Sequence, residues 1–176
     1  ALARSAFLMG GDVTLISGPT HLNKPYGVKT IDIITAQQMH DEIINRVQDF
    51  DYIIMSAAVG DYRCQNIAQE KIKKHEDTLT LQLQKNQDIL LEMGQHKKPH
   101  QIICGFAMET QDLIENAKEK LLKKNCDMIV ANHLKTKGAG FQGDTNVVSI
   151  LTSESIHHYD IMSKNELAFE ILNQMK

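Results

Sequence analysis

Apolar and polar positions along this chain fall into blocks whose period switches between about two and about 3.6. ALARSAFLM, at 1–9, reads as a helix stopped by Gly10 and Gly11, and VTLIS follows at once as a strand. A loop from Gly18 to Gly27 holds two of the three prolines. VKTIDII then predicts a short strand, and Thr35 is placed to cap a helix from about Ala36 to Val47. Met39, Ile43, Ile44 and Val47 recur at helical spacing, as a core stripe would. The run YIIMSAAV, 52–59, has no polar alternation and reads as a strand covered on both faces. LTLQLQ, 79–84, alternates with period two and predicts a half-exposed strand.

A short helix is expected from Asp88 to Met93, then a second doubly buried strand in QIICGFAM. Thr110 is placed to cap a helix from Gln111 to Lys124, with Leu113, Ile114, Ala117, Leu121 and Leu122 as its apolar side. DMIVANH is a third buried strand, and KTKGAGFQGD a glycine-rich loop. NVVSIL pairs in a hairpin with IHHYDI, and a last helix runs from about Lys164 to Met175. Strands alternating with helices predict an α/β fold: a Rossmann-like, mostly parallel sheet with helices on both faces and a small antiparallel extension. In a doubly wound fold a strand and a glycine-rich turn precede such a first helix, so we expect a segment before Ala1 to supply them.

Totals narrow this picture only modestly. A chain of 176 residues suits one domain. A net charge of −3 disfavours general binding to nucleic acid or membrane surfaces, which needs a basic excess. Cys64, Cys104 and Cys126 are odd in number and widely spaced, which predicts reduced thiols in a cytoplasmic protein. No apolar stretch approaches the length of a membrane span.

Ligands of open α/β sheets bind outside the carboxyl ends of the strands. Three such ends carry candidate chemistry: Gly60 and Asp61, Phe106 and Glu109, Asn132 and His133. A lysine cluster, Lys71, Lys73 and Lys74, follows Asp61, and the segment is either a wet charged loop or one wall of a nucleotide site. Lys120 and Lys124 share a helix face roughly opposite Leu113, Ile114 and Ala117, as a solvated face or as a clamp on a polyanion. Phe106 is either a core residue or a platform for a planar base. The eight histidines show no metal spacing: Pro99 separates His96 from His100, and His157 and His158 point to opposite faces of a strand. Nucleophile triads, a Walker loop and the dinucleotide fingerprint are absent.

VTLISGPT, AAVGDYR, EKIKK, KNQDIL, GFAMET, AKEKLLKKN, IVANH and GAGFQGDTN stand in the order and approximate spacing of one family. Across essentially its whole length the chain resembles bacterial phosphopantothenoylcysteine synthetase (phosphopantothenate–cysteine ligase). The resemblance implies coenzyme A biosynthesis: CTP, with Mg2+, activates the carboxylate of phosphopantothenate as an acyl-cytidylate with release of pyrophosphate, and the amine of L-cysteine then displaces CMP. It implies that Met55, Ser56 and Ala57 line the base pocket through backbone, that Asp61 contacts the nucleotide, and that Lys71 binds the phosphates and supports activation. It also implies that Gln87, Asp88, Ile89, Leu90 and Phe106 border the nucleotide, with Lys120 and Lys124 on a basic flap. Members are usually homodimers. The flavin-dependent decarboxylase domain fused to many of them lies outside this stretch, so no flavin is expected here.

The chain departs from the family pattern at Gln87, where KNPDI has proline at what would be a first helical position, and at Gly60, a common alanine. The family's glycine-rich phosphate and intermediate site should precede Ala1. Two other classes remain: a non-catalytic nucleotide-binding or regulatory α/β module, and a nicotinamide-dependent oxidoreductase, against which the missing fingerprint counts.

Overall fold

The computed structural model describes residues 1–73, 78–109, 111–133 and 143–176. Lys74, the Thr110 cap and most of the glycine-rich loop lie outside the described residues. The chain runs α1 (Leu2–Leu8), β1 (Thr14–Ser17), β2 (Lys29–Asp32), α2 (Ala36–Ile44), β3 (Tyr52–Met55), β4 (Tyr62–Cys64), β5 (Leu83–Lys85), α3 (Ile89–Gln95), β6 (Ile102–Glu109), α4 (Leu113–Lys123), β7 (Met128–His133), β8 (Thr145–Leu151), β9 (Ile156–Ser163) and α5 (Lys164–Gln174). Five strands form the central sheet in the order β3-β6-β7-β8-β9. Its first three strands are parallel; β8 and β9 extend it antiparallel. A parallel pair β1–β2 and an antiparallel pair β4–β5 stand apart from it.

The expected α/β layering is present, and continuous apolar runs produce it. Successive residues of β6 and β7 point to opposite faces, so both faces need cover. On one face Ile103, Ile129 and Ala131 pack with Met39, Ile43, Met93, Ala117 and Leu121 from α2, α3 and α4. On the other, Cys104, Met128 and Val130 pack with Leu167 and Ile171 of α5 and with Leu2 of α1.

Several expectations need correction. YIIMSAAV is not a doubly covered strand. Pairing stops at Met55, Tyr52 is half exposed, and Ser56 to Ala58 are exposed in a loop. β3 is a sheet edge, and among the described residues its free side and the free side of β1 line the same two clefts. Of LTLQLQ only Leu83 and Gln84 are in a strand, and Leu79, Leu81 and Leu83 face outward. α4 begins at Leu113 after Asp112, which adopts a left-handed conformation (φ 48°), and Leu122 is 76% exposed rather than part of the apolar side. Gln87 precedes the N-cap Asp88, so it does not hold the first helical position, which belongs to Ile89.

The Thr35 cap is present as a full capping box. Its hydroxyl accepts from the Gln38 N–H at 3.1 Å, and the Gln38 side chain accepts from the Thr35 N–H at 3.0 Å. α2 ends at Ile44, and Val47 opens a separate 3-10 turn, Val47–Asp49, while staying buried. Thr35→Ala is expected to cost about 1 kcal/mol of stability, read as a lower urea midpoint; an unchanged midpoint would show that the box adds nothing.

Candidate functional site

The site arises where β3 stops and β6 continues. Met55 is the last residue of β3 and pairs with Gly105, so Phe106 is the first residue of β6 beyond that edge. Phe106 therefore lies within a strand rather than ending one. A β-carbon at Gly105 would sit 2.8 Å from both Leu90 and Ile129, so glycine lets the start of α3 approach the sheet.

The base of the β4–β5 hairpin closes one side. Asn86 ties it to the turn at Gly60 and Asp61: its N–H donates to the Asp61 carbonyl at 2.7 Å and its amide nitrogen to the Gly60 carbonyl at 2.7 Å. Its amide oxygen accepts from Arg63 at 2.7 Å. Next in sequence, Asp88 caps α3 by accepting from the Leu91 N–H at 3.0 Å, and its other oxygen forms an ion pair with Lys124. Partial burial pushes the Asp88 carboxyl up, but the bond from Lys124, the Leu91 N–H and the charge of Lys120 together hold it below the usual carboxylate value. Lys120 donates to the Phe106 carbonyl at 2.7 Å.

These groups line one cleft of about 250 Å3. Of the expected residues it gathers Met55, Ala57, Asp61, Gln87, Asp88, Ile89, Leu90, Phe106, Lys120 and Lys124. Ser56 instead lines an adjoining cleft of about 640 Å3 that shares Phe106 and runs between the loop after β1 and α5. The larger cleft is the roomier, but the smaller one concentrates the carboxylates and the lysines, and the chemistry is assigned there. Lys71 does not line the smaller cleft; it is exposed on the segment between β4 and β5.

Lys120 and Lys124 do not occupy the outer face of α4. Their side chains are on the stripe of Ala117 and Leu121, spaced i, i+3, i+4 and i+7, and the Lys124 side chain is only 14% exposed. Lys85, Asn86 and Val59 belong to the cleft and are missing from the sequence-derived set. The signal was present for all three, since Lys85 and Asn86 open the KNQDIL motif and Val59 stands in AAVGDYR. Asn132 and His133 end β7 as expected but do not line the cleft. His133 instead meets Ser149 at 2.8 Å, which meets His158 at 2.7 Å.

All three cysteines are free. Burial, then the nearby Asp127, pushes the Cys126 thiol up to about 11, and burial raises Cys104 further, so both are inert small hydrophobes. Among the described residues no group of three or more His, Cys, Asp and Glu side chains could hold a metal ion, and no helix is long and apolar enough to cross a membrane.

By fold and site the protein is a doubly wound α/β domain with a charged cleft at the carboxyl ends of its parallel strands. The chain belongs to the family described as the DNA/pantothenate metabolism flavoprotein C-terminal domain, whose model matches residues 1–176. It is 39% identical over 98% of its length to the coenzyme A biosynthesis bifunctional protein CoaBC of Vibrio cholerae, covering 44% of that protein. It is 41% identical over 99% of its length to the protein of that name from Bacillus subtilis, covering 43%. The chain thus spans less than half the length of these relatives. A crystal structure of the C-terminal domain of CoaBC superposes with a TM-score of 0.82 at 34% identity, over 98% of this chain and 77% of that one.

Proposed function

We propose that this domain joins phosphopantothenate to L-cysteine at the expense of CTP, as a step of coenzyme A biosynthesis. The observation that carries the reading is the convergence in one cleft of ten expected residues scattered between positions 55 and 124. Membership of the family and the likeness to the CoaBC proteins support the pathway.

In this reading the backbone beside Met55 and Ala57 meets the base, and a wrong base edge would leave the groups it covers unpaired. Phe106 offers it an apolar surface. A carboxylate oxygen of phosphopantothenate attacks the α-phosphorus and pyrophosphate leaves. The cysteine amine then attacks the acyl carbon, CMP leaves, and the amine proton is lost. The first step brings anions together and the second expels anionic CMP, so lysines that position and neutralise charge are the tools required, and no nucleophilic side chain is needed. Lys120 and Lys124 flank the cleft for this purpose, with Lys71 supplied from the hairpin segment.

Mg2+ would enter with the triphosphate. The donor set suits an ion that keeps most of its waters and takes one carboxylate, and Asp61 is the candidate, since Asp88 is already paired with Lys124. When bound, the ion would neutralise phosphate charge. A homodimer, and a decarboxylase fused or separate, complete the proposal.

The test is pyrophosphate release. It should require both phosphopantothenate and CTP, with the amide product appearing only when cysteine is added. Equal turnover with ATP would remove the nucleotide assignment. A second reading, a nucleotide-binding module without turnover, draws on Lys71 standing outside the cleft; tight CTP binding with no pyrophosphate release would favour it.

A further inference from the structure

α2 and α3 are joined by a polar chain that ends at the cleft. The two ring nitrogens of His40 each face a carboxylate: Nδ1 lies 2.9 Å from Asp41, and Nε2 lies 2.9 Å from Glu92 on α3. Asp41 also accepts from the amide nitrogen of Gln37 at 2.9 Å. That same nitrogen donates its other hydrogen to the amide oxygen of Gln87 at 3.1 Å. Gln87 and its neighbour Asp88 line the cleft. A proline at position 87 could not accept this bond.

The geometry fixes the charge of the ring. An ionised carboxylate only accepts, and a neutral imidazole carries only one N–H. Both contacts are satisfied together only by the imidazolium. The His40 side chain is 10% exposed, so water does not replace a lost contact cheaply.

We propose that His40 and Gln37 are positioning residues that hold the start of α3, and with it Gln87 and Asp88, in the cleft, and that the hold is released when His40 loses its proton. The charged groups acting on the ring are Asp41 on its own helix and Glu92 on α3. Burial alone would lower its pKa; the bonds to Asp41 and Glu92 and their charges outweigh burial, and the net shift is upward from 6.5. A raised folded-state value means that the contribution is fully present below 6.5 and fades as pH rises through the folded value. Asp41 is shifted downward, first by its bond to His40, in keeping with the same pair.

The effect on nucleotide affinity rests on the ligase reading above, so the experiment has one arm that does not. By NMR, the His40 ring and the side-chain amide of Gln87 should titrate together, with a midpoint above 6.5, in the natural protein. In Gln37→Met the ring should still titrate while the Gln87 amide no longer follows. A Gln87 amide that ignores His40 in the natural protein overturns the proposal. The second arm is calorimetry with CTP at pH 6.5 and about pH 8.5. The Kd should rise about fivefold in the natural protein. Glu92→Gln should flatten that rise, because its amide can donate to a neutral ring that still donates to Asp41. The titration of CTP itself is common to both proteins. The same rise in both, with only the melting temperature responding to pH, overturns the positioning role. Absence of CTP binding at either pH sinks the ligase reading instead, and the NMR arm then decides the coupling alone.

Discussion

Replacing Gly94 with alanine is expected to lower the unfolding free energy by about 3 kcal/mol. Helix propensity alone predicts the opposite, since alanine in a helix interior is favoured over glycine by about 1 kcal/mol. The packing decides the sign. α3 crosses the end of α4 at this point, and a β-carbon on Gly94 would overlap the Lys124 carbonyl oxygen and stand 2.8 Å from its carbon. The obstacle is backbone, and that backbone is itself pinned. Asn125, at φ 51°, ends α4 in a Schellman turn: Asn125 donates to the Leu122 carbonyl at 3.2 Å and Cys126 to that of Leu121 at 3.0 Å. The Asn125 side chain then donates to the Gly94 carbonyl at 2.8 Å. Neither helix can yield without breaking one of these bonds. Separating them also moves Lys124 away from Asp88, so nucleotide affinity should fall with stability. Urea denaturation at neutral pH measures the first effect; a midpoint equal to or above that of the natural protein would mean that the two helices separate freely.

Gly94 also shows what the sequence could not reveal. A glycine inside EMGQ has no local signal of the helix it touches thirty residues later. The same holds for the brace between α2 and α3: His40 and Glu92, like Gln37 and Gln87, are about fifty positions apart. Local patterns, by contrast, translated well. The continuous apolar runs around Cys104 and Val130 became the central strands because both faces had to be covered. Thr35 before Ala36 became a cap because its hydroxyl had only its own helix to serve. YIIMSAAV misled because an apolar run does not distinguish an edge strand from a central one, nor a strand from the loop that follows it. The lysines of α4 were paired correctly and placed on the wrong face. That reading set them opposite Leu113, Ile114 and Ala117, whereas Leu113 and Ile114 are only half-buried and Ala117 lies with Leu121 on the buried stripe beside the lysines. The cleft itself was legible mainly through resemblance; composition and spacing alone left Asp61 and Lys71 divided between a wet loop and a site.

Lys71→Gln is expected to reduce CTP-dependent pyrophosphate release by at least about 100-fold while leaving the melting temperature unchanged. The second half of this expectation follows from exposure: among the described residues Lys71 makes no hydrogen bond or ion pair, so removing its charge breaks none of their contacts. The first half follows from which cations are already engaged. The charge of Lys124 is already balanced by Asp88, and Lys120 uses one of its N–H donors on the Phe106 carbonyl, so neither is wholly free for a phosphate. Among the described residues Lys71 has no such partner. It follows β4, whose pairing with β5 is fixed at the cleft by Asn86, and in the ligase reading it serves the triphosphate from that side. Loss of a charge aligned with the leaving pyrophosphate weakens the transition state more than the bound substrate. The fall should therefore appear in kcat and kcat/KM alike rather than in KM alone. Near-normal turnover in Lys71→Gln would take Lys71 out of the reaction and leave Lys85, the cleft lysine that opens the KNQDIL motif, as the next cation to replace.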